Sequence, residues 1–166
     1  IYEAMTGTDE PSDVIQACPD IPRLSIITSS INLTGATVEL VDQPDREFFL
    51  KRALERISDR FDFVFIDCPP SLGILTLNGL AAADSVIIPL QCEYLALEGL
   101  SLLLQTINRV QKGVNPRLAV GGILFTMFDS RTRLAQEVVQ EVTGYFKEKV
   151  FRTIIPRNVR VAEAPS

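Results

Sequence analysis

Histidine is missing from this chain of 166 residues, and cysteine occurs three times, at Cys18, Cys68 and Cys92, with no CxxC pair. A zinc site of the usual Cys/His kind is thereby excluded. Three widely spaced thiols do not make a disulfide framework, so the sequence reads as one from a reducing, cytosolic setting. No apolar run reaches the ~20 residues of a membrane-spanning helix, and no signal peptide is visible. Basic charge is also in short supply: 16 Lys and Arg stand against 21 Asp and Glu, for a net charge of −5. That balance argues against a generally basic nucleic-acid binder while leaving room for a local basic patch.

What is present is an ordinary globular composition, 46% hydrophobic and 22% charged, long enough for one domain with a substantial core. "IYEAMTG" reads as the end of a short helix closed by Gly7. "EPSDVIQACPD" reads as another, with Pro11 at an early position. Leu24 to Thr28 reads as a short strand. "NLTGATVELV" leans to helix. "DREFFLKRALERISDRF" is an amphipathic helix, with Phe49, Leu50, Ala53, Leu54 and Ile57 at helical spacing. Four apolar runs follow as strands, "DFVFID", "SVIIPL", "LAVGGILFTMF" and "VFRTIIP". The helices "LTLNGLAAAD", "EGLSLLLQTINRVQKG" and "RTRLAQEVVQEVTGYFKEK" separate them. Strand and helix alternate, and the strands are apolar on both faces. The expectation is a three-layer α/β domain with a mostly parallel sheet, joined by right-handed crossovers and covered by helices on both faces.

Ligands of open α/β sheets sit beyond the carboxyl ends of the strands. Asp67, Cys68, Pro69, Pro70 and Ser71 stand after residues 63–66. Pro89, Gln91, Cys92, Glu93 and Tyr94 stand after 85–88. Met127, Phe128, Asp129, Ser130 and Arg131 close the next strand, and Pro156, Arg157, Asn158 and Arg160 the last. Asp67 at a strand end suits an acid that holds Mg²⁺ directly or through water; it equally suits a helix N-cap or a turn. The two prolines fix the backbone behind it and Gly73 gives it room to move, as the base of a switch would require. Each arginine taken singly also reads as a solvated surface charge, and each loop as an ordinary polar strand end.

"DCPPSLG", "QCEYLALEGL", "TMFDSRT" and "IPRNVRVAEAPS", in this order, resemble the ParA/Soj partition ATPases, most strongly from Phe61 to Ser166. The resemblance implies a P-loop NTPase-like fold of the deviant Walker A, SIMIBI type, with residues 1–166 as a single truncated ParA-type domain of the AAA_31/CbiA-like kind. It implies an ATP-dependent homodimer that binds DNA without sequence preference. A ParB/Spo0J-type partner would stimulate hydrolysis, and the protein would be cytoplasmic and nucleoid-associated with no membrane partner. Cofactors would be ATP and Mg²⁺. By the same resemblance Asp67 is the Walker B-like acid that orients Mg²⁺ through water. Pro69, Pro70 and Ser71 belong to the second switch. Met127, Asp129, Pro156, Arg157 and Asn158 lie on the nucleotide-base side. Arg131 and Arg160 match DNA-contact positions, with Arg133, Lys149 and Arg152 as additions to the patch.

The family's "KGGxGKT" loop and "DxDPQGN" switch are not found in residues 1–166; they would precede Ile1, and a C-terminal helix would follow Ser166. The chain is therefore expected to be a fragment that neither binds ATP tightly nor hydrolyses it alone, with one sheet edge left unpaired. Cys68 and Cys92 raise the iron–sulfur relatives of this fold, whose clusters take four thiolates; here they read instead as small buried residues. Two other functions stay open on sequence grounds. One is a MinD-like membrane-cycling ATPase, the other a regulatory partner-binding module without enzymatic activity.

Overall fold

A computed structural model describes residues 1–164, apart from the side chains at positions 94, 95, 161 and 162. The last two residues of "VAEAPS" lie outside the described residues. The chain divides into two compact units: Ile1–Ala83 with Val110–Pro116, and Asp84–Arg109 with the chain from Arg117 onward.

The first unit holds helices α1 (Tyr2–Thr6), α2 (Asn32–Glu39), α3 (Phe49–Glu55) and α4 (Ile74–Ala82), and a hairpin of β1 (Gln16–Ala17) with β2 (Ser25–Ile26). Gly7 ends α1 as expected. It takes φ 79°, the left-handed conformation that glycine reaches without a Cβ penalty, and its N–H donates to the Glu3 carbonyl. Met5, Ala36, Leu40 and Leu50 form the buried core, packed by Ile1, Leu33, Ile66 and Ile74 among others. Asn78 of α4 is fully buried within this apolar setting. Its side chain accepts from the Leu50 N–H (3.1 Å) and donates to the carbonyls of Arg46 (2.8 Å) and Ile74 (2.9 Å). Leu50 lies in the first turn of α3, where an N–H has no partner within the helix, so Asn78 satisfies it and ties α3 to α4.

Two expectations fail in this unit. Residues 11–14 form turns rather than a helix. The segment behind them pairs instead with residues 24–26, through the ladder Gln16↔Ile26 and Ala17↔Ser25 and the Cys18 N–H on the Leu24 carbonyl. Arg23, at φ 69°, turns the chain between the two. The expected strand at 63–66 is not built either. Residues 62–66 join no ladder, and Phe63 and Phe65 are 81% and 84% exposed. An apolar run becomes a strand only when a neighbouring strand takes up its N–H and C=O groups. No such neighbour exists for it among the described residues.

The second unit is built on a parallel three-stranded sheet in the order β3 (Ser85–Gln91), β4 (Ala119–Phe128), β5 (Val150–Pro156). Helix α5 (Tyr94–Gly113) joins β3 to β4, α6 (Arg133–Phe146) joins β4 to β5, and the short α7 (Val159–Glu163) follows. This is the α/β order read from the sequence. Ile88, Leu90, Ile123 and Phe125 of the sheet are buried, as are Ala135, Val138 and Val142 of α6 at helical spacing. Ile87 and Phe151 remain 46% and 40% exposed.

The paired glycines of β4 have separate reasons. The β3–β4 register shifts between Val86 and Ile87, which face Val120 and Gly122, so Gly121 is the extra residue of a bulge. At Gly122 a Cβ would lie 2.5 Å from the Phe151 ring, and the ring packs on bare backbone there.

Candidate functional site

The loop after Ile66 carries four of the expected site residues, Asp67, Pro69, Pro70 and Ser71, and all four are exposed. What holds the loop is a residue that the sequence reading passed over. Thr76, buried in the first turn of α4, donates its hydroxyl to the carbonyls of Ser71 (2.6 Å) and Pro69 (3.3 Å). Gly73 precedes the helix in an extended conformation and supplies no side-chain cap. The loop is thus pinned by its main chain to the helix behind it, while Asp67, Pro69, Pro70 and Ser71 stay exposed.

Cys68 is exposed as a residue, contrary to the reading of it as buried, while Cys92 is buried. The Cys68 sulfur is nevertheless turned onto α4. A Cβ at Gly79 would lie 2.7 Å from it. Burial first, then the charge of Asp67, pushes the Cys68 thiol above its ordinary value. A thiol held protonated is a poor nucleophile and a poor metal ligand.

At the carboxyl ends of β4 and β5 the sheet brings the other expected residues to one edge. Phe128 faces Pro156 in the ladder, and the Arg157 N–H continues it by donating to the Phe128 carbonyl (3.0 Å). Met127, next to the last residue of β4, takes φ 53°, in the left-handed region that non-glycine residues seldom occupy, where the β4–β5 register shifts. Asp129 then accepts three hydrogen bonds from Arg131. The backbone N–H and Nε reach Oδ1 at 3.0 and 2.9 Å, and Nη2 reaches Oδ2 at 2.7 Å. The fork holds the Asp129 carboxyl well below the usual carboxylate range, with the charge of Arg157 adding to the effect. In return it raises the Arg131 guanidinium. Thr132 donates its N–H (3.1 Å) and hydroxyl (3.0 Å) to the Asp129 carbonyl, and Gln136 donates to the Ser130 carbonyl (2.9 Å).

On the β5 side, the Asn158 side chain accepts from the Arg160 N–H at 2.8 Å and caps α7. Arg157 and Arg160 are both exposed. The additional basic residues are partly committed: Arg133 pairs with Glu137 one helical turn on (2.8 Å), and Lys149 donates to the Val120 carbonyl (3.0 Å). Arg152 lines a cavity of ≈480 Å³ together with Val139, Thr143, Phe151 and Ile154, and none of the other expected residues borders it.

Similarity to known proteins follows these features. The AAA domain family (AAA_31) matches residues 1–120, so the chain belongs to that family. Over all 166 residues it is 61% identical to the chromosome-partitioning ATPase Soj of Treponema pallidum and 51% identical to the sporulation initiation inhibitor protein Soj of Bacillus subtilis. It spans 65% of the length of each. Among solved structures, the cobyrinic acid a,c-diamide synthase of Mycobacterium smegmatis with bound ADP and magnesium superposes with a TM-score of 0.86 at 42% identity, over 95% of this chain and 64% of that one. The ParA/Soj resemblance carried by the motifs thus extends along the whole chain.

Proposed function

We propose that the protein containing this chain is a ParA/Soj-type partitioning ATPase, with residues 1–166 part of a single ATPase domain. In this reading its ATP-bound homodimer binds DNA without sequence preference, and a ParB/Spo0J-type partner stimulates hydrolysis. Such a protein is cytoplasmic and associates with the nucleoid through that DNA. The observation that carries the reading is the shared edge of β4 and β5. There the "TMFDSRT" and "IPRNVR" loops are joined by the Arg157–Phe128 hydrogen bond, with Arg131 and Arg160 both exposed. Guanidinium contact with phosphate is independent of base sequence and needs only a local basic face, which suits an acidic chain.

ATP and Mg²⁺ are the cofactors of this reading. Mg²⁺ takes one or two carboxylates and fills its remaining positions with water and phosphate oxygens. Asp67, a single exposed carboxylate at the head of its loop, suits a role through bound water. Bound Mg²⁺ would neutralise charge on the phosphates. Pro69, Pro70 and Ser71 form the second switch. Met127, Pro156, Arg157 and Asn158 flank the base, with Asp129 contributing through the loop it shapes, since its carboxylate is taken. Residues 1–166 contain no glycine-rich phosphate loop, so expressed alone they turn over no ATP above background.

A MinD-like role is a weaker reading, because 61% and 51% identity tie the chain to proteins named Soj, and a regulatory role without hydrolysis is weaker because the 61% identity is to a protein named a partitioning ATPase. The amidating enzyme named among the structures is less similar at 42%. The test is DNA-stimulated and ParB-stimulated ATP hydrolysis by the full-length protein, with DNA binding compared at several salt concentrations. Arg131→Ala and Arg160→Glu weaken DNA binding about tenfold each if the arginines touch phosphate. Undiminished DNA binding in both variants refutes the DNA-contact assignment.

A further inference from the structure

We infer that Asp129 is the positioning residue for Arg131, presenting one edge of its guanidinium outward as a ready-made phosphate clamp. This rests on the DNA-binding reading above and adds a residue to it. The planar guanidinium carries five N–H donors in a fixed fork. Asp129 takes the side-on pair, Nε to Oδ1 at 2.9 Å and Nη2 to Oδ2 at 2.7 Å. By the chemistry of the group, the Nη1 edge and the second Nη2 hydrogen are left over, and these match two phosphate oxygens in the same bidentate manner. The exposures of the partners differ in the sense such a role requires. The Asp129 side chain is 23% exposed and the Arg131 side chain 86%, so the acid is the base of the arrangement and the arginine its projecting part.

The platform below is fixed as well. The Arg131 N–H is bound to Oδ1, Thr132 closes on the Asp129 carbonyl twice, Gln136 holds Ser130, and Arg157 holds Phe128. An arginine at an exposed position ordinarily samples many rotamers, and binding must freeze them. Here that ordering precedes the ligand. The carboxylate opposes an approaching phosphate by its own charge, and across one guanidinium the two stand within a Debye length, so salt screens that repulsion only in part. The ordering of Arg131 acts against it, and the sign of the Asp129→Asn effect decides between the two.

The experiment uses the full-length protein with ATP and a random-sequence duplex, titrated at several salt concentrations. Asp129→Asn keeps an oxygen for the Arg131 N–H and so keeps the turn, but it loses the charged fork. It binds DNA about three- to tenfold more weakly, and its salt slope is shallower by up to about 0.9 per protomer. Arg131→Lys keeps the positive charge but cannot form the fork, and it shows a similar loss. The double variant Asp129→Asn with Arg131→Ala binds no worse than Arg131→Ala alone, since Asp129 acts through Arg131. A merely structural role would weaken DNA binding further in that background and would lower the unfolding midpoint below that of Arg131→Ala alone, which overturns the proposal. Tighter DNA binding by Asp129→Asn overturns it too, because Asp129 would then be a competitor of phosphate. Arg131→Ala with unchanged DNA binding removes the DNA reading at this position and the proposal with it. Arg131→Ala weakened beside an unaffected Asp129→Asn removes the proposal alone.

Discussion

The loop at 67–73 is held by its carbonyls, and the segment at 127–132, from the end of β4 onward, adds to such a grip an ion fork between its own side chains. In the first, a buried threonine on the following helix grips two loop carbonyls, and Asp67, Pro69, Pro70 and Ser71 are left exposed. In the second, Asp129 uses its carboxylate on an arginine two residues away. The difference bears on what each loop can do. A loop gripped only by its carbonyls keeps its acid free for an incoming cation or water, and breaking two hydrogen bonds lets it shift. A loop that has closed an internal ion fork has given up a free acid and gained a fixed arginine. A switch and a clamp call for these two different constructions.

The firmest way to break the comparison is to remove the footing of the first loop. Asn78 joins α3 to α4 from a fully buried position, with three hydrogen bonds to main-chain groups. Asn78→Ala leaves the Leu50 N–H and two carbonyls without these partners, and a loss of about 3 kcal/mol is expected. Chemical denaturation of the full-length protein measures it; a loss below about 1 kcal/mol would mean that water replaces all three bonds. Next in size is the contact at Gly79. An alanine there places Cβ 2.7 Å from the Cys68 sulfur, and overpacking of this kind costs about 1–3 kcal/mol. Pairing it with Cys68→Ala should restore most of the loss, and a double variant no better than Gly79→Ala would show that the sulfur is not the obstacle. Smaller again is Thr76→Val, which keeps shape and drops the hydroxyl. Both carbonyl partners sit in an exposed loop that water can reach, so about 1 kcal/mol is expected. The sharper readout is local: amide hydrogen exchange at Ser71 and Leu72 accelerates, while exchange at 128–132 does not.

Much of the second unit was legible in the sequence because its strands find their partners within it. β3, β4 and β5 lie where the apolar runs lie, and α6 is buried on the face that its 3.6-residue period marks. The doubled glycine of β4 stands in the sequence, but only the structure separates a bulge at Gly121 from a ring contact at Gly122. The first unit was harder to read for a physical reason. "FDFVFID" is as apolar as any strand here, but pairing is a property of two segments, and composition reports on one. Residues 16–17 are the converse: Gln16 and Ala17 are weak strand formers, read as part of a helix, that pair because a turn at Arg23 brings them to the strand expected at 24–28 and observed over Ser25–Ile26. In the site, the residue types at the strand ends were visible, but their commitments were not. Thr76 and Asn78 interrupt an apolar helix, and a polar residue inside such a run is the signal that would have found them. Asp129 was visible as an acid, with nothing in its spacing to say that Arg131 had already claimed it.

The smallest expected effect is on the fork itself, and it sharpens the contrast with the other loop. Asp129 has its pKa depressed in the folded protein, first by the Arg131 side chain and then by the Arg131 N–H. A depressed carboxylate adds stability that is present above its unfolded pKa and is lost only as pH falls through the lower folded value. Acidification from pH 7 to about 4, where an unpaired aspartate is close to half protonated, should therefore leave the fork closed. The Nε–H resonance of Arg131 reports this directly, since an N–H bound to a carboxylate exchanges slowly with water. It should keep its position and its slow exchange across that interval, and opening should begin only in stronger acid. A resonance that shifts with a midpoint near pH 4 would mean that Asp129 titrates as a free side chain, and the loop at 127–132 would then be no more tied by its own acid than the loop at 67–73.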